Sequence, residues 1–156
     1  MSNHSESGAP SFHRQIAAHC NNSAWDLIER ETLDAGDCVS LVRFAATAAY
    51  HWREIGTSDN VANAELLLAW ALARAGAGLA AVDAASRAFK HFSEKKSEQP
   101  QMAFSHAAMA VSLHSAGDRE GHRQHYAEAK QLGTNLPTED MKYFEAAFRS
   151  IPQPAD

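Results

Sequence analysis

Two cysteines, Cys20 and Cys38, are all that this 156-residue chain carries, too few for a disulfide framework. Both fall at apolar positions of predicted helices and read as reduced, buried thiols of a cytoplasmic protein. Val, Ile and Thr are scarce, 14 in all against 31 alanines. β-branched residues suit strands and alanine is the best helix former, so a sheet protein is disfavoured. Positive charge is not in excess: 14 Lys and Arg stand against 19 Asp and Glu, for a formal net charge of −5. No field exists to gather a phosphate backbone, and no nucleic-acid partner is expected. Protonating all nine histidines would move the charge from −5 to −5 + 9 = +4, which affects solubility in mild acid. Long apolar runs are missing. The longest, Leu66 to Ala73, is bracketed by Glu65 and Arg74 and falls far short of the roughly 20 residues a bilayer needs. Residues 1–10 are polar, lack the cationic flank and apolar stretch of a secretory signal, and read as a flexible tail. No G-x-x-x-x-G-K, G-x-S-x-G or G-x-G-x-x-G occurs; Gly76-Ala77-Gly78 is a helix turn.

What remains is a succession of helices in one domain, 11–151, followed by a short tail at 152–156. Phe12, Ile16, Cys20, Ala24, Leu27 and Ile28 recur at helical spacing after a candidate cap, Ser11. A turn at Thr32, Asp34 and Gly36 leads to a second stripe, Cys38, Leu41, Val42, Ala45, Ala49 and Trp52, with Gly56 in the place of a left-handed C-cap. Ser58 or Asp59 can cap a third helix that Gly76 ends. A fourth runs from Leu79 to Lys95 with Leu79, Val82, Ala85 or Ser86, Phe89 and Phe92 inward. The fifth spans Met102 to His114, the sixth follows Asp118 and stops at Gly133, and Pro137-Thr138-Glu139-Asp140 opens a seventh with a capping hydroxyl and acids in its first turn. Residues 66–73 are apolar on every side and Met102–Leu113 nearly so, as in helices buried between neighbours.

Gly36, Gly76 and Gly117 lie 40 and 41 residues apart, a spacing that points to a repeat. Superimposing Gly76 on Gly117 lays Leu68 over Met109, Ala69 over Ala110, Leu72 over Leu113 and Ala88 over Ala129. Small residues at a crossing let helix axes approach to about 8 Å, and large ones beside them fill the rest. This pattern resembles the tetratricopeptide repeat. Leu68, Ala69, Gly76, Ala81 and Ala88 match its signature positions, as do Met109, Ala110, Gly117 and Ala129, while His122 stands where alanine is usual. The unit around Gly36 matches poorly, with Glu29 at a small site, and the period exceeds the usual length of about 34. Tyr50-His51-Trp52, Gly56-Thr57, Asn60, Glu65 and Ala103-Phe104 further resemble a bacterial group of tetratricopeptide-like proteins with no assigned activity. The chain departs from that group at Asn63-Ala64, Leu66 and Ala107, where Arg-Gly, Trp and Glu are expected. The resemblance implies an all-α, right-handed stack of three helix-turn-helix hairpins closed by a seventh helix.

In such a stack the first helix of each hairpin lines a concave groove, which places Asn63, Leu66, Trp70 and Arg74 from one unit there. Phe104, Ala107, Val111 and Ser115 come from the next, with His114 beside them. An amide for backbone pairing, a cation for a carboxylate and apolar pockets for anchors would suit a peptide, a partner helix or a second copy of the chain. The expected partner-binding residues are therefore Asn63, Leu66, Trp70, Arg74, Phe104, Val111 and His114. The alternative is that Trp70 and Phe104 are core, covered by the N-terminal hairpin or the last helix. A second class of reading is an enzyme. Asp118, His122 and His125 share one helical face, and His51 with Glu65 would make an acid–base couple. Zinc needs three or four ligands converging at about 2 Å, and no His-Glu-x-x-His or cysteine pair is present. No catalytic residue, metal or cofactor is expected.

Overall fold

In the computed structural model, which describes residues 8–96 and 98–155, the chain forms α1 (Gly8–Ile28), α2 (Ala35–Ile55), α3 (Ser58–Arg74), α4 (Gly78–Glu94), α5 (Gln99–Ala116), α6 (Arg119–Gly133) and α7 (Thr138–Phe148). Among the described residues the fold is all-helical, with no strand. Among the described residues, no helix is long and apolar enough to cross a membrane.

Three helices start on side chains that accept bonds from otherwise unpartnered first-turn amides. Asp34 accepts from the Asp37 amide at 2.7 Å, and the Asp37 carboxylate accepts from the Asp34 amide in return. Thr57 and Asn60 make the same reciprocal pair ahead of α3, so the cap there is Thr57 and not Ser58 or Asp59. Asp118 accepts from the Gly121 amide at 2.9 Å, as expected. Two other caps differ from the expectation. Ser11 lies inside α1, which already runs from Gly8, so the remainder of the expected tail, 1–7, falls outside the described residues. Thr138 is the first residue of α7 rather than its cap. Pro137 precedes it with φ −55° and no side-chain bond, a start set by the ring.

The turn glycines divide into two kinds. Gly76 (φ 79°) and Gly117 (φ 83°) are left-handed, where a Cβ is disfavoured. Each closes the same pair of bonds, Gly76 N to Ala73 O and Ala77 N to Leu72 O at one turn, Gly117 N to His114 O and Asp118 N to Leu113 O at the other. Gly56 is extended instead (φ −86°). Its requirement is space, because a Cβ there would sit 2.5 Å from the Trp52 carbonyl oxygen and 2.9 Å from Asn60 Cβ. Gly36 is no turn glycine at all: it lies within the first turn of α2, behind the Asp34 cap.

Each helix packs on the next, while α1, α3, α5 and α7 also touch in succession. Consequently α3 is bounded by α1, α2, α4 and α5, and α5 by α3, α4, α6 and α7. Ala69, Ala81, Ala88, Ala110 and Ala129 have no exposed surface. The Leu66–Ala73 run of α3, apolar on every side, and the nearly apolar α5 are thus explained by neighbours all round. Cys20 is buried and Cys38 half-buried, both as free thiols. Leu79, expected inward, is 83% exposed. Gly78 beside it is buried against the end of α5, where a Cβ would collide with the Ser115 carbonyl, and the next position turns outward.

Ala69→Leu forces extra methylenes into this contact and should lower the unfolding free energy by about 1–3 kcal/mol, read from the denaturant midpoint. A neutral substitution would contradict the close approach of α3 to its neighbours.

Candidate functional site

Asn22, Trp25, Asp26 and Glu29 recur at i, i+3, i+4 and i+7, one face of a helix that is not the face of the apolar stripe. That face, with Asn21, forms one wall of a cavity of about 470 Å³. Asn63 and Leu66 of α3 and Phe104 of α5 line it further, and Tyr143 of α7 stands at its edge. Trp25 holds the site in shape. Its ring meets Trp70 edge-on at 5.7 Å and Phe104 at 6.1 Å, and Phe104 meets Phe144 at 5.4 Å. Among the described residues the lining carries two carboxylates, three amides and three exposed or half-buried aromatic rings, with no Lys, Arg or His.

Three of the seven expected partner-binding residues, Asn63, Leu66 and Phe104, come together here. Trp70 does not reach the cavity. It has no exposed surface, and its indole N–H donates to Ser150 Oγ at 3.0 Å, so the segment after α7 closes over it from one side and Trp25 from another. Val111 is buried at 3% exposure. Arg74 is half-buried elsewhere, donating to the Arg30 carbonyl at 3.3 Å beside Cys38. His114 lines a different cavity, with His122. Arg74, the expected cation for a carboxylate, is therefore not among the described residues of the cleft, which is acidic at Asp26 and Glu29. These two, with Trp25 and Tyr143, were missed because α1 and α7 lie outside the recognisable repeat units. The polar i, i+3, i+4, i+7 face of α1 was the available signal.

The residues weighed for catalysis are engaged separately. Glu65, 4% exposed, accepts from Arg53 at 2.7 Å and Arg87 at 2.8 Å, tying α2, α3 and α4 together, and Arg87 also pairs with Asp83. His51 faces His13 instead of Glu65, Nδ1 to Nδ1 at 2.9 Å. Nearby, Asp59 meets His91 at 2.7 Å and Lys95 at 2.5 Å, and those bonds, Lys95 first, hold its carboxyl below the usual range. His122 and His125 part company: the first donates from Nδ1 to the Ala110 carbonyl at 2.8 Å, the second meets His106 Nδ1 at 3.0 Å, and Asp118 is spent on its cap. Among the described residues, no three His, Cys, Asp or Glu side chains converge as a metal site would require.

Compared with protein-family models, with curated proteins and with solved structures, the chain matches none.

Two predictions follow from this geometry. Trp70→Ala empties a sealed aromatic site and removes the bond to Ser150, so it should destabilise by about 3–5 kcal/mol, seen in thermal and denaturant unfolding. The second concerns acid. Burial lowers His106, His114 and His125, with the neighbouring His125 lowering His106 further and His122 lowering His114. As pH falls through about 6.5, the unfolded chain takes up these protons first, so stability is lost from there down to the folded values. The melting temperature should drop between pH 7.5 and 5.5. It should drop less in His106→Gln with His125→Gln, and an unchanged slope in that variant would remove the buried pair from the explanation.

Proposed function

We propose that the protein is a non-enzymatic, tetratricopeptide-like interaction module whose cleft between α1, α3, α5 and α7 holds a basic segment of a partner protein. The neighbour order supports the build: first helices touch one another, and α2, α4 and α6 each pack between successive first helices. Matching left-handed turns at Gly76 and Gly117 and the sealed alanines at 69, 81, 88, 110 and 129 support two equivalent units. The α1–α2 pair is a third unit with a divergent connection, closed by the Asp34 cap in place of a turn glycine. On this reading the hairpins form a right-handed stack with α7 as its closing helix.

The composition of the cleft carries the choice of occupant. Asp26 and Glu29 supply negative charge, Trp25, Phe104 and Tyr143 supply π faces, and no cation among the described lining residues competes. A Lys or Arg side chain gains from both, about 0.5–2 kcal/mol from each cation–π contact. Asn63 and Asn22 are placed for the backbone of the same segment. The net charge of −5 adds long-range attraction for such a partner.

Titrating a short arginine-rich peptide should give a saturable change in tryptophan fluorescence that weakens with added salt. An acidic peptide of the same length should give none. Asp26→Asn with Glu29→Gln should lower the affinity at least about tenfold, equal to roughly 1.4 kcal/mol, with the helical signal unchanged. Equal binding of both peptides, or an unaltered variant, would refute the reading. Self-association of the wild type that the same double variant abolishes would reassign the cleft to a second copy of the chain.

A further inference from the structure

The acidic cleft is layered. Among its polar side chains Asn22, Asp26, Glu29 and Asn63 are exposed and Asn21 is half-buried, and Tyr143 is exposed beside them. The more deeply placed groups are apolar: Leu66 is 3% exposed, and Trp25 and Phe104 are half-buried. The Trp25 and Phe104 rings stand at 72° to each other, with centroids 6.1 Å apart. Each is braced by a second ring. Trp70, itself tied to Ser150, meets Trp25 edge-on at 5.7 Å, and Phe144 meets Phe104 at 5.4 Å. A corner of two braced rings is set before anything enters it, so little ordering entropy is lost when it fills.

We propose that this corner receives the quaternary ammonium group of a trimethylated lysine in the partner's basic segment. The inference rests on the reading of the cleft as the seat of such a segment, and it names the group that enters deepest. Hydrogen-bond demand makes the choice. A lysine ammonium has three N–H donors and a guanidinium five, and each needs an acceptor once water is removed. Leu66 and the ring faces of Trp25 and Phe104 are not such acceptors. A trimethylammonium has no N–H to satisfy. Its methyl groups bury apolar surface against Leu66, and its positive charge is attracted to the negative faces of the rings. Asp26 and Glu29 at the rim add negative potential without having to accept a hydrogen bond from it. Unmodified lysines and arginines of the same segment meet those carboxylates at the rim, where water completes their hydrogen bonds. The other cavity of about 470 Å³, at the α5–α6 turn, has Arg119, Arg123, His114 and His122 among its lining residues. It is basic, and it offers such a cation no seat.

The test is a calorimetric titration of the full chain with three forms of one lysine-containing basic peptide, and with choline. The central lysine is unmodified, trimethylated, or replaced by the neutral isostere with carbon in place of the quaternary nitrogen. The trimethylated peptide should bind about five- to tenfold more tightly than either of the others. Choline, without a backbone or flanking charges, should bind at least about tenfold more weakly than the trimethylated peptide. Phe104→Leu keeps the apolar volume, removes a ring face, and should cut the preference for trimethyllysine to about twofold or less. Because Phe104 also packs on Phe144, Tyr143→Leu serves as a second variant at an exposed position. It should reduce the preference with the melting temperature unchanged. Equal binding of the unmodified and trimethylated peptides, both weakened by Asp26→Asn with Glu29→Gln, would overturn this inference and leave the cleft a seat for basic segments. Equal binding of the trimethylated peptide and its isostere, or an undiminished preference in both ring variants, would overturn it as well. Choline bound as tightly as the trimethylated peptide would overturn the assignment to a protein partner. No saturable binding of any peptide would overturn both the inference and the reading on which it rests.

Discussion

Close approach of helix backbones through alanine is the constraint on which the rest of this structure depends. Ala69, Ala81, Ala88, Ala110 and Ala129 are sealed at the crossings, and Ala45, Ala48, Ala103, Ala107 and Ala108 are equally inaccessible. A methyl buries little apolar surface by itself, so the stabilising effect lies in what the short side chain permits: main chains near enough for dispersion contacts along the whole crossing. Gly78 against Ser115 and Gly133 against the Phe144 ring extend the same logic to positions where even a methyl would collide. Space denied at the crossings has to be filled elsewhere. It is filled by a chain of rings, Trp70, Trp25, Phe104, Phe144, Phe148 and Tyr126, that links α3, α1, α5, α7 and α6.

That division of labour explains which parts of the molecule were legible from residues alone. Helix number, the buried character of α3 and α5, and the two turns at Gly76 and Gly117 follow from periodicity and local chemistry, and they match the structure closely. Local rules failed where two physical reasons lead to the same residue. Gly56 looks like a left-handed cap, yet it is a glycine because Trp52 and Asn60 crowd it. Gly36 completes an apparent 40-residue spacing, yet it sits inside a helix whose start is set by the Asp34 cap. Leu79 is apolar in an amphipathic pattern and still points outward, because the burial of Gly78 fixes the rotation of α4.

The candidate site was legible only in part for a related reason. Repeat register identifies which side of α3 and α5 faces inward, and Asn63, Leu66 and Phe104 are on that side. It says nothing about the elements that close over it. Trp70 is sealed by Trp25 and by the Ser150 segment, contacts separated in sequence by 45 and 80 residues. No spacing rule connects such positions. The sign of the cleft was inverted for the same cause: Arg74 donates to the Arg30 carbonyl and does not line the cleft, whereas the carboxylates come from α1 and the turn that ends it, outside the matched units.

α5 joins the two cavities. Phe104 borders the acidic cleft and His114 the basic one, ten residues apart, or about 15 Å along the axis. Between them the helix has no free side on which to yield, since α3, α4, α6 and α7 enclose it. Any rotation of α5 that repositioned Phe104 would also have to move the Ala110 carbonyl that holds His122 in its tautomer. A helix confined in this way transmits displacement as a rigid body. The acidic cleft and the basic pocket are thus walled by residues of one helix that its neighbours hold in place.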